Sequence, residues 1–348
     1  MFDRALELSE YFRWRERSRQ TKQAHEPLIG IGLATVTKGS GAHGERRSDQ
    51  ARVVIEPSGQ ISAYSGVSPH GQGTETTFAQ IVADELGVTP ADVQMYHSDT
   101  HLFPSGGGTG ASRGITVGGS AVYTVLQEAR EKLVQIASHL LVCPAEDVVF
   151  QQGKVFRNGH SGEGITFFQL AAAGYDEELL PPDVEPGLEF NASYTLPDNP
   201  YAFGAHVAVV EVAQDTGAIK ILQYVAVNDA GRILNPLLAE GQIHGGFAQG
   251  LGQALLEGME FTDEGQPLTG SLMDYALPRA NDVPDLTLDS LETLSPLNPL
   301  GAKGIGELPT VASPAAITNA VMDALYSTGV RHIDTPLTRE KIWRVLNP

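Results

Sequence analysis

Glu307 ends the loop Gly301-Ala302-Lys303-Gly304-Ile305-Gly306-Glu307, with Pro309 and Pro314 beyond it and a helix-like apolar run over 315–325. A carboxylate held on a glycine-rich loop ahead of a helix, and kept from water, can act as a general base. The same pattern also describes a turn in which Lys303 and Glu307 form a solvated pair. Arg113 is the second candidate. It lies in Gly108-Thr109-Gly110-Ala111-Ser112-Arg113-Gly114, just ahead of a helix-like run over 117–141, with Ser112 as a candidate N-cap. A cation is unfavourable at a helix N-terminus, so Arg113 answers either an anionic ligand or a neighbouring Asp or Glu.

Two more stretches share this glycine character. The loop 65–77, with Gly71, Gln72 and Gly73, feeds a helix closed by Gly87. A glycine loop entering a helix presents free N–H groups and the positive end of the dipole, which is an anion site. It lacks the Gly-Lys-Ser/Thr of a P-loop. Residues 234–259 read as a helix although Gly241, Gly245, Gly246, Gly250 and Gly252 interrupt it. Each interior glycine costs ~1 kcal/mol relative to alanine. Five of them serve either tight helix packing or the approach of a bulky group. Gln242 and Gln249, seven apart, share a face of that helix.

The elements that position these groups follow from period and punctuation. Residues 2–19 read as an amphipathic helix and 28–36 as an apolar strand. A hairpin turns at Pro57-Ser58-Gly59, a short strand covers 93–97, and a second hairpin turns at Gly153. Residues 175–188, acidic and proline-containing, read as an exposed connection. Strands at 188–195, 205–212 and 219–228 suggest a second sheet, and 338–346 a short basic helix. The consecutive division is therefore 1–27, 28–185 and 186–348.

Composition narrows the function. The 348 residues carry a formal charge of −19, which argues against nucleic acid and against an anionic membrane surface as partners. No run approaches the ~18 apolar residues of a spanning helix, and the N-terminal stretch lacks the apolar core of a secretory signal, so a cytoplasmic protein is expected. The one cysteine, Cys143, rules out an intrachain disulfide framework and an iron–sulfur cluster ligated by this chain alone; in its apolar setting it reads as a buried small hydrophobe.

The four glycine-rich stretches, in their order and spacing, resemble the molybdenum hydroxylases: xanthine dehydrogenase, aldehyde oxidase and the large subunit of aerobic carbon monoxide dehydrogenase. The matching segments are PHGQGTETTFAQIVADELGV, GTGASRGITVGGSA, NDAGRILNPLLAEGQIHGGFAQGLGQALLE and GAKGIGELPTVASPAAITNAVMDAL. The resemblance implies an α+β molybdenum-cofactor-binding domain of the xanthine dehydrogenase/aldehyde oxidase type. Two α+β subdomains with mixed sheets and long helices are expected. It implies Glu307 as the base that takes a proton from a metal-bound hydroxyl, whose oxygen then attacks an electron-poor carbon. It implies cofactor contacts from Gly71, Gln72, Gly73, Ser112, Arg113, Gly114, Thr116, Gln242, Lys303 and Gly304, and no protein ligand to the metal. The cofactor would be molybdenum-molybdopterin in its cytosine dinucleotide form. Electrons would leave through [2Fe-2S] and FAD subunits. Where many relatives have His after the Gly-Gln-Gly, this chain has Thr74. The family's large subunit is about twice as long, so a second molybdopterin-binding subunit is implied, as in nicotinate dehydrogenase-like enzymes. The rival readings are a non-catalytic or truncated module that holds cofactor without turnover, and an unrelated hydrolase. Glu307 favours a catalytic subunit, and the scattered histidines disfavour the hydrolase.

Overall fold

The computed structural model describes residues 1–21, 26–41, 47–102, 106–160 and 162–347. Helices α1 (Phe2–Leu8) and α2 (Tyr11–Thr21) precede β1 (Leu28–Gly39), β2 (Ser48–Ile55), β3 (Ile61–Ser65), α3 (Thr74–Leu86) and β4 (Val93–His97). A π-helical turn, Gly114–Gly119, runs into α4 (Ser120–Leu141). Then come β5 (Val148–Gln151), β6 (Lys154–Arg157), β7 (Ile165–Thr166), α5 (Phe167–Ala173) and β8 (Glu189–Thr195). The chain ends with β9 (Tyr201–Val212), β10 (Ile219–Asp229), α6 (Pro236–Leu255), β11 (Leu286–Leu291), α7 (Leu308–Leu325) and α8 (Arg339–Leu346).

The chain folds as two compact units that interleave in sequence. The first holds Met1–Lys38, Tyr201–Thr293 and Ile305–Pro348, and the second Gly39–Pro200 and Leu294–Gly304. The consecutive division expected from composition differs from this because β1 pairs not with its sequence neighbours but with β9.

In the first unit the sheet order is β1-β9-β10-β11, with β9 and β10 antiparallel and β10 and β11 parallel. Strand alternation sorts its side chains onto two faces. Leu28, Ala208, Val210 and Ala226 join Ile243, Phe247, Ala316 and Ile317 of α6 and α7. Ile29, Ile31, Val207 and Val209 join Ala5 on the opposite face, with Tyr11 and Trp14 packed against them. The helix expected over 2–19 breaks at Ser9 and Glu10, where Glu10 takes φ +49°. Helix α7 begins at Leu308, seven residues earlier than the run 315–325, because Pro309 sits in the first turn, where a missing N–H costs nothing.

Contact between β1 and α7 is at backbone distance. A Cβ on Gly30 would lie 2.0 Å from the Ala320 carbonyl, and one on Gly32 2.0 Å from the Ala316 carbonyl. Two strand residues advance ~6.6 Å and four helical residues ~6 Å, so strand and helix keep step in opposite directions. Further along the same strand face, Val36 packs with Leu308 and Ala312.

A buried polar chain lies beneath α7. His206 Nε2 donates to Asn228 Oδ1 (3.0 Å) and Nδ1 accepts from the Tyr224 hydroxyl (2.8 Å). Ser313 Oγ, which donates to the Pro309 carbonyl at 2.7 Å, lies against Tyr224. Burial lowers the His206 pKa to about 4 and raises that of Tyr224 well above its ordinary value.

In the second unit the sheet order is β4-β3-β2-β8. Strand β8, expected beside β9 and β10, instead pairs antiparallel with β2, and β3 and β4 are parallel neighbours joined through α3. Helix α4 covers β2 and β8, and α3 packs on α4. Val53, Ile55, Phe78, Val82, Val122, Leu126 and Leu133 are buried here, as is Cys143. The hairpin at residues 57–59 forms as expected, with Ile55 opposite Ile61.

An ion pair sits inside this unit. Arg113 Nη1 lies 2.9 Å from Asp49 Oδ2, with the two side chains 1% and 0% exposed. Arg113 also donates to the Gly108 carbonyl (2.6 Å) and the Ser48 carbonyl (2.9 Å), and Asp49 accepts from the Gln50 N–H (2.9 Å). Burial holds the Asp49 carboxyl above its ordinary value against the pull of the Arg113 charge. Taking both charges out of water offsets much of their attraction, and removing one partner strands the other.

Two outcomes follow. Arg113→Met is expected to destabilise the second unit by roughly 3–5 kcal/mol, and Arg113→Met with Asp49→Leu to regain most of it. Urea unfolding measures both, and a double variant no better than the single one contradicts the pairing. For His206, the unfolded side chain takes up a proton as pH falls below ~6.5, while the folded one resists to about 4, so stability falls with pH across that window. Between pH 7 and 5 the protein should lose roughly 2 kcal/mol more than His206→Gln. Equal losses in the two proteins would contradict a neutral, buried His206.

Candidate functional site

Each unit brings together its own group of candidate residues. In the first unit Glu307 occupies the N-cap position of α7. Lys38, last of the unit's β1 residues, reaches it: Nζ lies 2.6 Å from Glu307 Oε2, with side chains 24% and 47% exposed. Lys38 shares the strand face of Gly30, Gly32 and Val36, so the in-step packing of β1 on α7 delivers it to the helix start. Lys303 belongs to the second unit and Glu307 to the first.

Gln242 of α6 joins this group. Its Oε1 lies 3.2 Å from where a Cβ on Gly306 would stand, so its amide covers the residue beside Glu307. The glycines of α6 divide by role. A Cβ on Gly246 would press on Pro309 and Thr310, one on Gly250 on Ser313 and Pro314, and one on Gly252 on Glu257 and Pro278. These three allow close packing. At Gly241 and Gly245 a Cβ would meet nothing within 4 Å. Their helical cost has no counterpart within the protein, which fits the approach of a bulky group beside Gln242.

In the second unit the loop after β3 enters α3 through Gly73, at φ +77°, with no side-chain cap. It leaves the carboxyl end of β3, beside the parallel strand β4, where open sheets bind ligands. Gly71 has φ +105° and open space at its Cβ position. Gln72 folds back: Oε1 accepts from the His70 N–H (2.7 Å) and Nε2 donates to the Ser68 carbonyl (3.1 Å). It shapes the loop, and the helix start it leads into has no side-chain cap, the kind of backbone end that suits an anion.

The second helix entrance differs from expectation. Ala111 and Ser112 both take left-handed φ, 49° and 53°, and Arg113 stands at the N-cap position without a side-chain cap, so Ser112 does not cap the helix. The Arg113 guanidinium is occupied by Asp49 and two carbonyls, the second of its two expected roles. Gly114 opens the π-helical turn, and the Thr116 hydroxyl, fully buried, lies 3.4 Å from the Ser40 and Arg113 carbonyls. Lys303 is buried, and a Cβ on Gly304 would lie 2.3 Å from the Ser112 carbonyl and 2.8 Å from the Ser40 Cβ. Gly304 thus brings its loop onto Ser112. Residues 110–114 also have the Gly-x-Ser-x-Gly spacing of a hydrolase elbow, but no strand leads into them.

Within the described residues, no three His, Cys, Asp or Glu side chains cluster to hold a metal, and no helix is long and apolar enough to cross a membrane. The donors present suit an anionic organic cofactor: uncapped helix starts, left-handed loop backbone and open glycines. Sequence reasoning missed Lys38 and Asp49. The even-numbered face of β1 could have found Lys38; nothing local marks Asp49.

Comparison with known proteins agrees. A family profile described as the molybdopterin cofactor-binding domain matches residues 4–284. The carbon monoxide dehydrogenase large chain of Hydrogenophaga pseudoflava is 35% identical over 99% of this chain and 44% of its own length. The 6-hydroxypseudooxynicotine dehydrogenase complex subunit gamma of Paenarthrobacter nicotinovorans is 35% identical over 98% of this chain and 42% of its own length. The crystal structure of quinoline 2-oxidoreductase from Pseudomonas putida 86 superimposes with a TM-score of 0.91 at 36% identity, covering 99% of this chain and 45% of that one. The chain thus spans less than half the length of these relatives. Its α+β fold is theirs, and the chain belongs to the molybdopterin cofactor-binding domain family.

Proposed function

We propose that this chain is a molybdopterin-binding subunit of a molybdenum hydroxylase, an oxidoreductase that inserts water-derived oxygen into an N-heterocycle, an aldehyde or a related small substrate. The observation that carries this is the placement of Glu307 at the head of α7, against Lys38 and beside Gln242. The names of the relatives, carbon monoxide dehydrogenase and nicotine 6-hydroxylase among them, support the reaction class. The cofactor is molybdenum-molybdopterin, in the cytosine dinucleotide form. The working complex adds a second molybdopterin-binding subunit, a [2Fe-2S] subunit and an FAD subunit, and is cytoplasmic.

When bound, the cofactor supplies the redox and oxygen-transfer chemistry. The chain supplies position and a proton acceptor. Backbone N–H groups at the start of α3, with Gly71 and Gly73, and the backbone around Ser112 and Gly114 hold the anionic part. Gly241 and Gly245 leave room beside Gln242, whose amide orients the ligand. Glu307 takes the proton on its carboxylate. Lys38 supplies the opposite charge beside Oε2 and holds the carboxylate in place.

In the assembled complex, Glu307→Gln should leave folding and molybdenum content unchanged while cutting turnover by at least about 10²–10⁴. Near-normal activity in the metal-loaded variant removes Glu307 from catalysis. Expressed alone in a host that makes the cofactor, the chain should be inactive and hold little molybdenum, with activity appearing on co-expression with its partner subunits. A metal-loaded, substrate-oxidising single chain contradicts the subunit reading.

A further inference from the structure

Six large apolar side chains stand in solvent along one stretch of the first unit: Met259, Phe261, Leu268, Leu272, Met273 and Leu277 are 49–95% exposed. The stretch follows α6 and has no helix or strand beyond an antiparallel bridge between Phe261 and Pro267. Its backbone is nonetheless shaped. The Thr262 N–H donates to the Gln266 carbonyl and the Leu268 N–H to the Glu260 carbonyl, which makes a small hairpin. Ser271 Oγ donates to Asp274 at 2.7 Å, and the Tyr275 hydroxyl fastens the stretch to Glu257 at 2.7 Å. An arm whose polar groups pair within it while its apolar side chains face water has the character of an interaction surface.

Charge narrows the occupant. The arm carries Glu260, Asp263, Glu264 and Asp274, with no Lys or Arg anywhere from 258 to 278, in a chain of net charge −19. A second copy would set like charges against like at the same surface. The fitting partner is a different chain with an apolar pocket rimmed by Lys or Arg.

Resting on the subunit reading above, we infer that this arm docks the second molybdopterin-binding chain, the polypeptide that supplies the part of the relatives' length this chain does not match. The chain covers 42–45% of the relatives' length, and the arm is the surface on which the counterpart of the rest would sit. Met273, the most exposed of the six at 95%, is the central anchor.

The test co-expresses the full chain with the second molybdopterin-binding chain of its own complex and measures affinity and stoichiometry by sedimentation. Wild type should form a heteromer. Leu272→Ser with Met273→Glu should bind on the order of 100-fold more weakly. The free variant should keep the wild-type melting temperature, because neither side chain is buried. Added salt should weaken wild-type association by screening the acidic rim. Undiminished affinity in the variant overturns the docking surface alone, as does a wild-type homodimer that the variant dissociates. A wild-type chain that binds no second molybdopterin-binding chain overturns the subunit reading and this inference with it.

Discussion

The first unit depends on one constraint: helix α7 lies directly on the backbone of β1. Gly30 and Gly32 leave no side chain between the strand and the Ala320 and Ala316 carbonyls. Because two strand residues and four helical residues cover nearly the same distance, this contact repeats rather than diverges. Val36 reaches Leu308 and Ala312, and Lys38 reaches Glu307. The candidate base is thus located by backbone contact along β1, the edge strand of its sheet, and its own loop has only to turn the corner. Gly246 and Gly250 of α6 let that helix pack closely on the flank of α7, at Pro309, Thr310, Ser313 and Pro314.

The second unit solves a different problem. Its glycine-rich loops take left-handed backbone at several positions, and such a loop needs something rigid behind it. The Arg113–Asp49 pair fills that role from inside, tying residue 113 to strand β2 and to the Gly108 carbonyl. The charge that read as a candidate anion contact is buried against Asp49 and two carbonyls, where it shapes the backbone around it. Gln72 works similarly, spending its amide on its own loop.

Local features were legible in the sequence. The glycine-entered helix at Thr74, the hairpin at residues 57–59, α6 with its five glycines and the carboxylate ahead of α7 all follow from turn chemistry and period, which depend on neighbours in the chain. What escaped is non-local. The partner of Arg113 lies 64 residues away in an unremarkable Ser-Asp-Gln, and β8 looks like any alternating strand whether it pairs with β2 or β9. The interleaving of the two units depends on such pairings, so a consecutive reading could not reach it. The N-cap reading of Ser112 also failed for a physical reason: a left-handed backbone at Ala111 and Ser112 moves the helix start past the residue whose type suits a cap.

The in-step packing of β1 on α7 also limits how the length of this strand can change. Lys38 meets Glu307 only because it stands an even number of positions, six, beyond Gly32. Inserting or deleting one residue between them would turn Lys38 to the face shared by Ile29 and Ile31, under α1 and α2. Inserting two would restore the face but slide the ammonium group about 6.6 Å along the strand, farther than an ion pair spans. The segment from Gly32 to Lys38 therefore acts as a ruler: Gly32, Val36 and Lys38 fix its face by their identities, and its residue count fixes where they fall.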